Sequence, residues 1–352
     1  MPESIVSTSA LCLIAASLLA MVSCASDPST IVQTAEDERS PSRPVATYSI
    51  VARDAKTGEL GVAVQSHWFS VGSVVPWAES GVGAVATQSF VDPRYGPMGL
   101  ALMKGGRGAS EALKALTSSD DGEAVRQVGM VDASGGVATH TGLKCIRYAS
   151  HVSGETPDGS IFTAQANMMM NAGVPEAMAD AFQKTGGDLA DRLLAALRGA
   201  QARGGDIRGM QSAALLVVKG KTSGKAWEDR RFDLRVEDHT KPVDELARLL
   251  RVARAYEHMN NGDLAMEKKD IDGALREYHE AQELDPASAE MAFWTGVSLA
   301  NAGRVDESLP FFKRAFEDKS PGAAWRELLR RLPASGLLPD DPELMEKMMS
   351  AK

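Results

Sequence analysis

The stretch that constrains this chain most is the pair of β-rich runs TYSIVARD (47–54) and LGVAVQSHW (60–68) around Lys56-Thr57-Gly58-Glu59. Two apolar, β-branched runs joined by a short glycine-bearing turn specify an antiparallel hairpin. In the second run Leu60, Val62 and Val64 point one way and Gly61, Ala63 and Gln65 the other. Neither face carries a charge, so the sheet is expected to be covered on both sides. The first run opens on Thr47, just after a polar, proline-bearing stretch. A cut before Thr47 would put a free α-amine and a hydroxyl on one residue, a base and a nucleophile with no other side chain required.

With 352 residues the chain exceeds what one core commonly holds, and two domains are expected. A net charge of −9 argues against non-specific nucleic-acid binding. The apolar run from Ala10 to Val22 falls short of the roughly 20 residues of a membrane span. It ends in Met21-Val22-Ser23-Cys24-Ala25, which resembles a bacterial lipobox. Residues 1–24 therefore read as an export signal with Cys24 as the lipidation site, although the leader MPESIVSTS lacks the usual positive charge. The mature protein is then expected to be exported, in the periplasm or on a membrane by its lipid. Of three cysteines only Cys145 would remain, so no intramolecular disulfide is expected, and Cys145 reads as a small core residue. Residues 25–46 lack apolar periodicity and read as a tether or propeptide.

Beyond the hairpin, GVGAVATQSF is a third strand, followed by helical signals at MGLALMK and ASEALKALTS. The intervening Gly105-Gly106-Arg107-Gly108 lacks the Gly-Lys-Ser/Thr of a phosphate loop and reads as a helix–helix turn. RQVGMVDASGGVATHTG is a hairpin and GSIFTAQANMM a strand. Helices follow, with Pro175 in the first turn of one and Asp188 as the N-cap of the next. A last strand pair runs through RGMQSAALLVVKGK and AWEDRRFDLRVED. This order of strands, helices and strands indicates a layered α+β domain over residues 47–240. Arg192, Arg198, Arg203 and Arg208 read as a solvated helix face and its following loop, and Met168-Met169-Met170 as core filling.

After residue 240 the strands stop. Ile271-Asp272-Gly273-Ala274-Leu275 and Val305-Asp306-Glu307-Ser308-Leu309 lie 34 residues apart, the tetratricopeptide period. Residues 241–352 thus read as an all-α region of about two such repeats plus a C-terminal helix, too few for independent stability and expected to lean on the first domain or on a second copy. The six histidines show no ligand spacing, so neither metal nor other cofactor is expected.

The segment from Thr47 to about Asp238 resembles a bacterial domain-of-unknown-function family, ten-twenty-eight, regarded as similar to the N-terminal-nucleophile (Ntn) hydrolases. The resemblance is carried by Thr47–Asp54, Gly61–Ser66, Val75–Ala78, Gly81–Gln88, Tyr95-Gly96-Pro97, Arg126–Gly129, Gln165–Asn167, Gly205-Asp206, Arg208-Gly209 and Gln211–Ala214. It implies a four-layer αββα Ntn-hydrolase-like sandwich and cleavage of a small amide or peptide-like substrate by Thr47. Ser49, Arg53, Ser66, Gln88, Gln165, Asn167, Asp206 and Gln211 are the implied candidates for substrate binding or the oxyanion, with Arg53 biasing the amine towards its neutral form. His67 and Trp68 depart from the family pattern, where a smaller or Arg-like residue is expected. The alternative is a non-catalytic lipoprotein scaffold on an Ntn-like fold. In that case the repeats dock a protein partner or a second copy of the chain.

Overall fold

The computed structural model describes residues 47–351; the expectations for residues 1–46, Cys24 among them, lie outside the described residues. Strands β1 (Thr47–Arg53) and β2 (Leu60–Ser66) pair antiparallel from Thr47 opposite Ser66 to Arg53 opposite Leu60. Asp54 closes their turn: its Oδ1 accepts from the N–H groups of Lys56 and Thr57 and from the Thr57 hydroxyl. Gly58 supplies the left-handed residue that this turn needs (φ 73°).

The chain continues through β3 (Pro76–Glu79), β4 (Gly83–Ser89), α1 (Tyr95–Lys104) and α2 (Ala109–Thr117), with Gly105–Gly108 as the helix–helix turn. Next come β5 (Arg126–Asp132), β6 (Val137–Thr141), β7 (Ser150–Glu155) and β8 (Ile161–Ala166). Helices α3 (Val174–Lys184) and α4 (Leu189–Ala202) follow, the second capped by the Asp188 carboxylate accepting from the Asp191 N–H at 3.1 Å. Strand β9 (Ser212–Val218), a single helical turn α5 (Ala226–Asp229) and β10 (Arg230–Val236) complete the β-rich part.

The strands form two antiparallel sheets, one of six in the order β10-β9-β2-β1-β8-β7 and one of four in the order β3-β4-β5-β6. Period-two alternation gives every central strand two buried faces. Val51, Leu60, Val62, Val64, Ala84, Ala86 and Val131 fill the space between the sheets. Tyr48, Ile50, Ala52 and Ala63 point away, under α3, α4 and the helix that follows β10. Val85, Val128 and Met130 cover the outer face of the smaller sheet, beneath α1 and α2. The expected mixed α+β architecture with antiparallel sheets is therefore present.

Several local readings differ: β3 (Pro76–Glu79) precedes the strand read as third, and Cys145, expected in the core, is only partly buried. Strand β7, at an edge of the larger sheet, alternates half-buried and exposed residues and carries no apolar run that would mark it in sequence. Arg192 is not on a solvated face. It is 4% exposed, its guanidinium bonds Asp158 and the Ser160 hydroxyl, and it stacks on the Phe182 ring.

The C-terminal region is all helix. It comprises α6 (Pro242–Glu267), α7 (Ile271–Leu284), α8 (Ala289–Asn301), α9 (Val305–Phe316), α10 (Trp325–Arg331) and α11 (Pro342–Met349). Helices α6 and α7 pack through Ala255, Met259, Ala274 and Tyr278, and α8 to α11 share a second core around Phe293, Phe312 and Leu329. The expected lean on the first domain is made by α6. Its Val243, Leu246 and Leu250 sit in the same core as Tyr48 and Leu193. A boundary at 240/241 thus falls just ahead of a helix that belongs to both regions. Among the described residues no helix is long and apolar enough to cross a membrane.

Candidate functional site

Thr47 is the first residue of a strand flanked on both sides, by β2 and by β8. A strand's first residue is usually loosely held, but this one is gripped. Its carbonyl accepts from the Asn167 backbone N–H at 3.0 Å, from the Gln88 amide at 3.2 Å and from the Asn167 amide at 3.4 Å. Its hydroxyl donates to Ser66 Oγ at 3.2 Å. Thr47, Ser49, Ser66, Gln88, Gln127, Gln165 and Asn167 are all fully buried.

These side chains form one network between the two sheets. Ser49 donates to Gln88 Oε1 at 2.6 Å and accepts from Gln165 Nε2 at 2.7 Å. Gln127 is its hub: Oε1 accepts from Gln88 at 2.7 Å and from Asn167 at 3.0 Å. Its Nε2 donates to Thr141 Oγ1 and to the carbonyls of Ser150 and Ala166. The implied substrate-binding amides are thus spent on one another and on strand carbonyls, which fixes the Thr47 end of β1. One acceptor is left over: Asn167 Oδ1 is buried beside Thr47 with no hydrogen-bond partner. A buried orphan of this kind is uncommon and invites a donor.

The other nominated residues separate from this centre. Arg53 shares the Thr47 face but lies six residues on, roughly 20 Å away at about 3.3 Å per residue, where its side chain approaches the Gly58 turn. It is out of reach of the Thr47 amine, which corrects the role implied for it. Asp206, 3% exposed, accepts from the His67 N–H and is clamped by Arg208, so it shapes the loop beyond Ser66. Gln211 bonds Ser66 through its backbone, N–H to carbonyl at 3.2 Å. Of the two residues that depart from the family pattern, His67 is exposed and Trp68 packs against the apolar core between the sheets. Cys145 donates to the Arg126 carbonyl at 3.3 Å, and burial pushes its thiol up, away from a reactive thiolate. Of the three methionines, Met169 is core and Met170 is half exposed.

Gln127 escaped nomination although it sits in the Arg126–Gly129 motif. The available signal was an uncharged amide beside the apolar run of a strand (RQVGMVD), with a glycine two residues on. That glycine, Gly129, makes room for Gln165: a Cβ there would lie 2.5 Å from Gln165 Oε1. Among the described residues no group of three or more His, Cys, Asp or Glu is placed to hold a metal ion.

Residues 47–246 match the model of a family of unknown function, DUF1028. The chain belongs to this family. The DUF1028 domain begins at Thr47 itself and ends inside α6, so the family's own extent includes the first turn of that helix. A crystal structure of a DUF1028 protein from Silicibacter pomeroyi, SPO2555, is 28% identical, with a TM-score of 0.51. The match covers 58% of this chain and 88% of that one. Residues 259–334, beyond the DUF1028 domain, match the tetratricopeptide repeat model. No curated protein matches the chain.

Proposed function

We propose that the DUF1028 domain is an Ntn-type amidohydrolase, its stacked sheets and flanking helices being an Ntn-hydrolase-like αββα sandwich, and that it acts once the Ala46–Thr47 bond is cut. The observation that carries this reading is the grip on Thr47: three donors on its carbonyl, Ser66 at its hydroxyl and an orphaned acceptor, Asn167 Oδ1, alongside. A free α-amine on Thr47 has an ordinary pKa of roughly 7.7–8.0 and can take the hydroxyl proton near neutrality. The Asn167 oxygen is the acceptor suited to orient that amine. Thr47 Oγ attacks the substrate carbonyl carbon, and the amine passes the captured proton to the leaving nitrogen. The C–N bond breaks and an acyl ester forms on Thr47. Water then hydrolyses the ester and restores the hydroxyl. With the side-chain amides committed elsewhere, the oxyanion falls to backbone N–H groups.

The substrate class is a small amide or peptide-like compound outside the cytosol. Export by the leader and lipidation at Cys24 belong to the same proposal. A cut before Thr47 discards Cys24, so anchored and catalytic forms are successive or competing states of one polypeptide. The test is the N-terminal residue of natively exported protein, with an electrophilic β-lactone probe to label the nucleophile. Thr47 as first residue, labelled there and not in T47A, is the expected result. A mature chain still joined through Val45-Ala46 in every compartment overturns it.

One observation favours a second reading. The network is sealed and internally satisfied apart from Asn167 Oδ1, as in a structural core. In that reading the DUF1028 domain is a scaffold and the tetratricopeptide-like helices dock a protein partner. It predicts an uncut tether.

A further inference from the structure

A cleft of about 330 Å³ lies between α4 and α6, on the far side of the larger sheet from the Thr47 network. Asp191 and Arg198 border it from α4; Asp244, Arg248, Arg251 and Arg254 border it from α6. Both sets follow helical spacing, so one stripe of each helix faces the other. An adjoining cavity of about 340 Å³ shares Arg198 and Asp244 and adds Lys241. Four arginines around one opening are conspicuous in a chain of net charge −9.

Two of the four are already committed. Arg254 holds Asp188 and Asp191 at 2.7 and 2.8 Å, tying α6 to α4, and Arg248 holds Glu245 at 2.6 Å. Arg198 and Arg251 make no ion pair among the described residues, and Asp244 stands at the rim without one. Two uncommitted guanidiniums thus border one void, one from each helix, over an apolar floor of Leu194, Ala247 and Leu250. Arg198 and Arg251 are both exposed at this opening, where like charges repel and a bridging anion relieves the repulsion. Junctions between domains are also where small-ligand sites concentrate.

We propose that the α4–α6 cleft binds a small dianion, a phosphate or phosphate-monoester group, forked between Arg198 and Arg251. The site is independent of Thr47, so it stands or falls apart from the hydrolase reading. The test is calorimetric titration of the full-length chain with inorganic phosphate, and separately with succinate, each against chloride at matched ionic strength. Saturable binding of one equivalent is expected, weakened at least tenfold by R198Q and by R251Q, tightened severalfold by D244N and unchanged by the distant R107Q. Preference for phosphate over succinate supports the phosphate assignment, and the reverse order overturns it in favour of a dicarboxylate. Absence of saturable binding, or affinity that survives both arginine changes with circular dichroism unaltered, overturns the site itself.

Discussion

The Thr47 and Ser66 hydroxyls meet at 3.2 Å because their residues are directly opposed in the β1–β2 register. Opposed residues hold their Cβ atoms about 5 Å apart, so the contact is set by the backbone. In the cleaved chain T47A is expected to abolish amide hydrolysis and T47S to retain it. On the proposed hydrolase reading Ser66 positions the nucleophile, and S66A should then lower kcat by roughly 10- to 100-fold with KM little changed, a loss within reach of general acid–base and orientation effects. Steady-state kinetics on the Thr47-terminated protein make the comparison; a rise in KM alone would assign Ser66 to substrate binding instead.

Gln127 supports the most hydrogen bonds in the network. Q127L takes from the buried Gln88 and Asn167 amides the acceptor they share, leaving them their longer bonds to the Thr47 carbonyl, and takes a donor from the Ala166 carbonyl. At about 1–3 kcal/mol for weakening a buried polar network, a loss of roughly 2 kcal/mol is expected. Urea unfolding followed by far-ultraviolet circular dichroism measures it.

At Gly129 the constraint is room. A methyl group added there must displace Gln165, whose carbonyl oxygen it would approach to 2.5 Å. G129A should therefore cost about 1–3 kcal/mol, as overpacking does, and G129A/Q165A should recover part of that in a double-mutant cycle.

Acid sensitivity is expected at Asp120. Burial alone would raise its carboxyl, but hydrogen bonds from Arg126, the Gly122 N–H and Tyr95 outweigh it and hold the group below its ordinary 3.8. A depressed carboxylate contributes stability that is fully present well above pH 3.8 and is lost as pH falls through its folded value. R126Q should cost about 2–3 kcal/mol at pH 7, the low end for breaking a buried pair because Asp120 keeps some solvent. The difference between R126Q and the parent should shrink below pH 3.8. Chemical denaturation from pH 2 to pH 7 reads both effects.

Truncation probes the shared helix. A fragment ending at residue 240 lacks Val243, Leu246 and Leu250, three buried members of the first core. At about 1.5–3 kcal/mol per buried side chain, it should be less stable by roughly 5 kcal/mol or more than a fragment ending at residue 267. Thermal unfolding of the two fragments decides the point.

Much of this fold is legible in the sequence because its signals are local. The Asp54–Gly58 turn and the Asp188 cap declare themselves within a few positions, and the 34-residue period by matching one stretch of chain to the next. What escapes reading depends on partners far along the chain. Arg192 looks like any helix-surface arginine until Asp158 and Ser160 are seen to close around it. Gln127 looks incidental until Gln88 arrives from β4 and Asn167 from just beyond β8. Arg53 shows the converse error: alternation places it on the right face, but strand rise carries it to the wrong end.

Helix α6 has a mechanical corollary. It is unbroken over 26 residues, a rod of about 39 Å at 1.5 Å per residue, seated in the first core at one end and paired with α7 towards the other. No hinge separates the two. If the repeats dock a partner, as the scaffold reading proposes, that partner is held at a fixed bearing to the sheet beneath which α6 is seated.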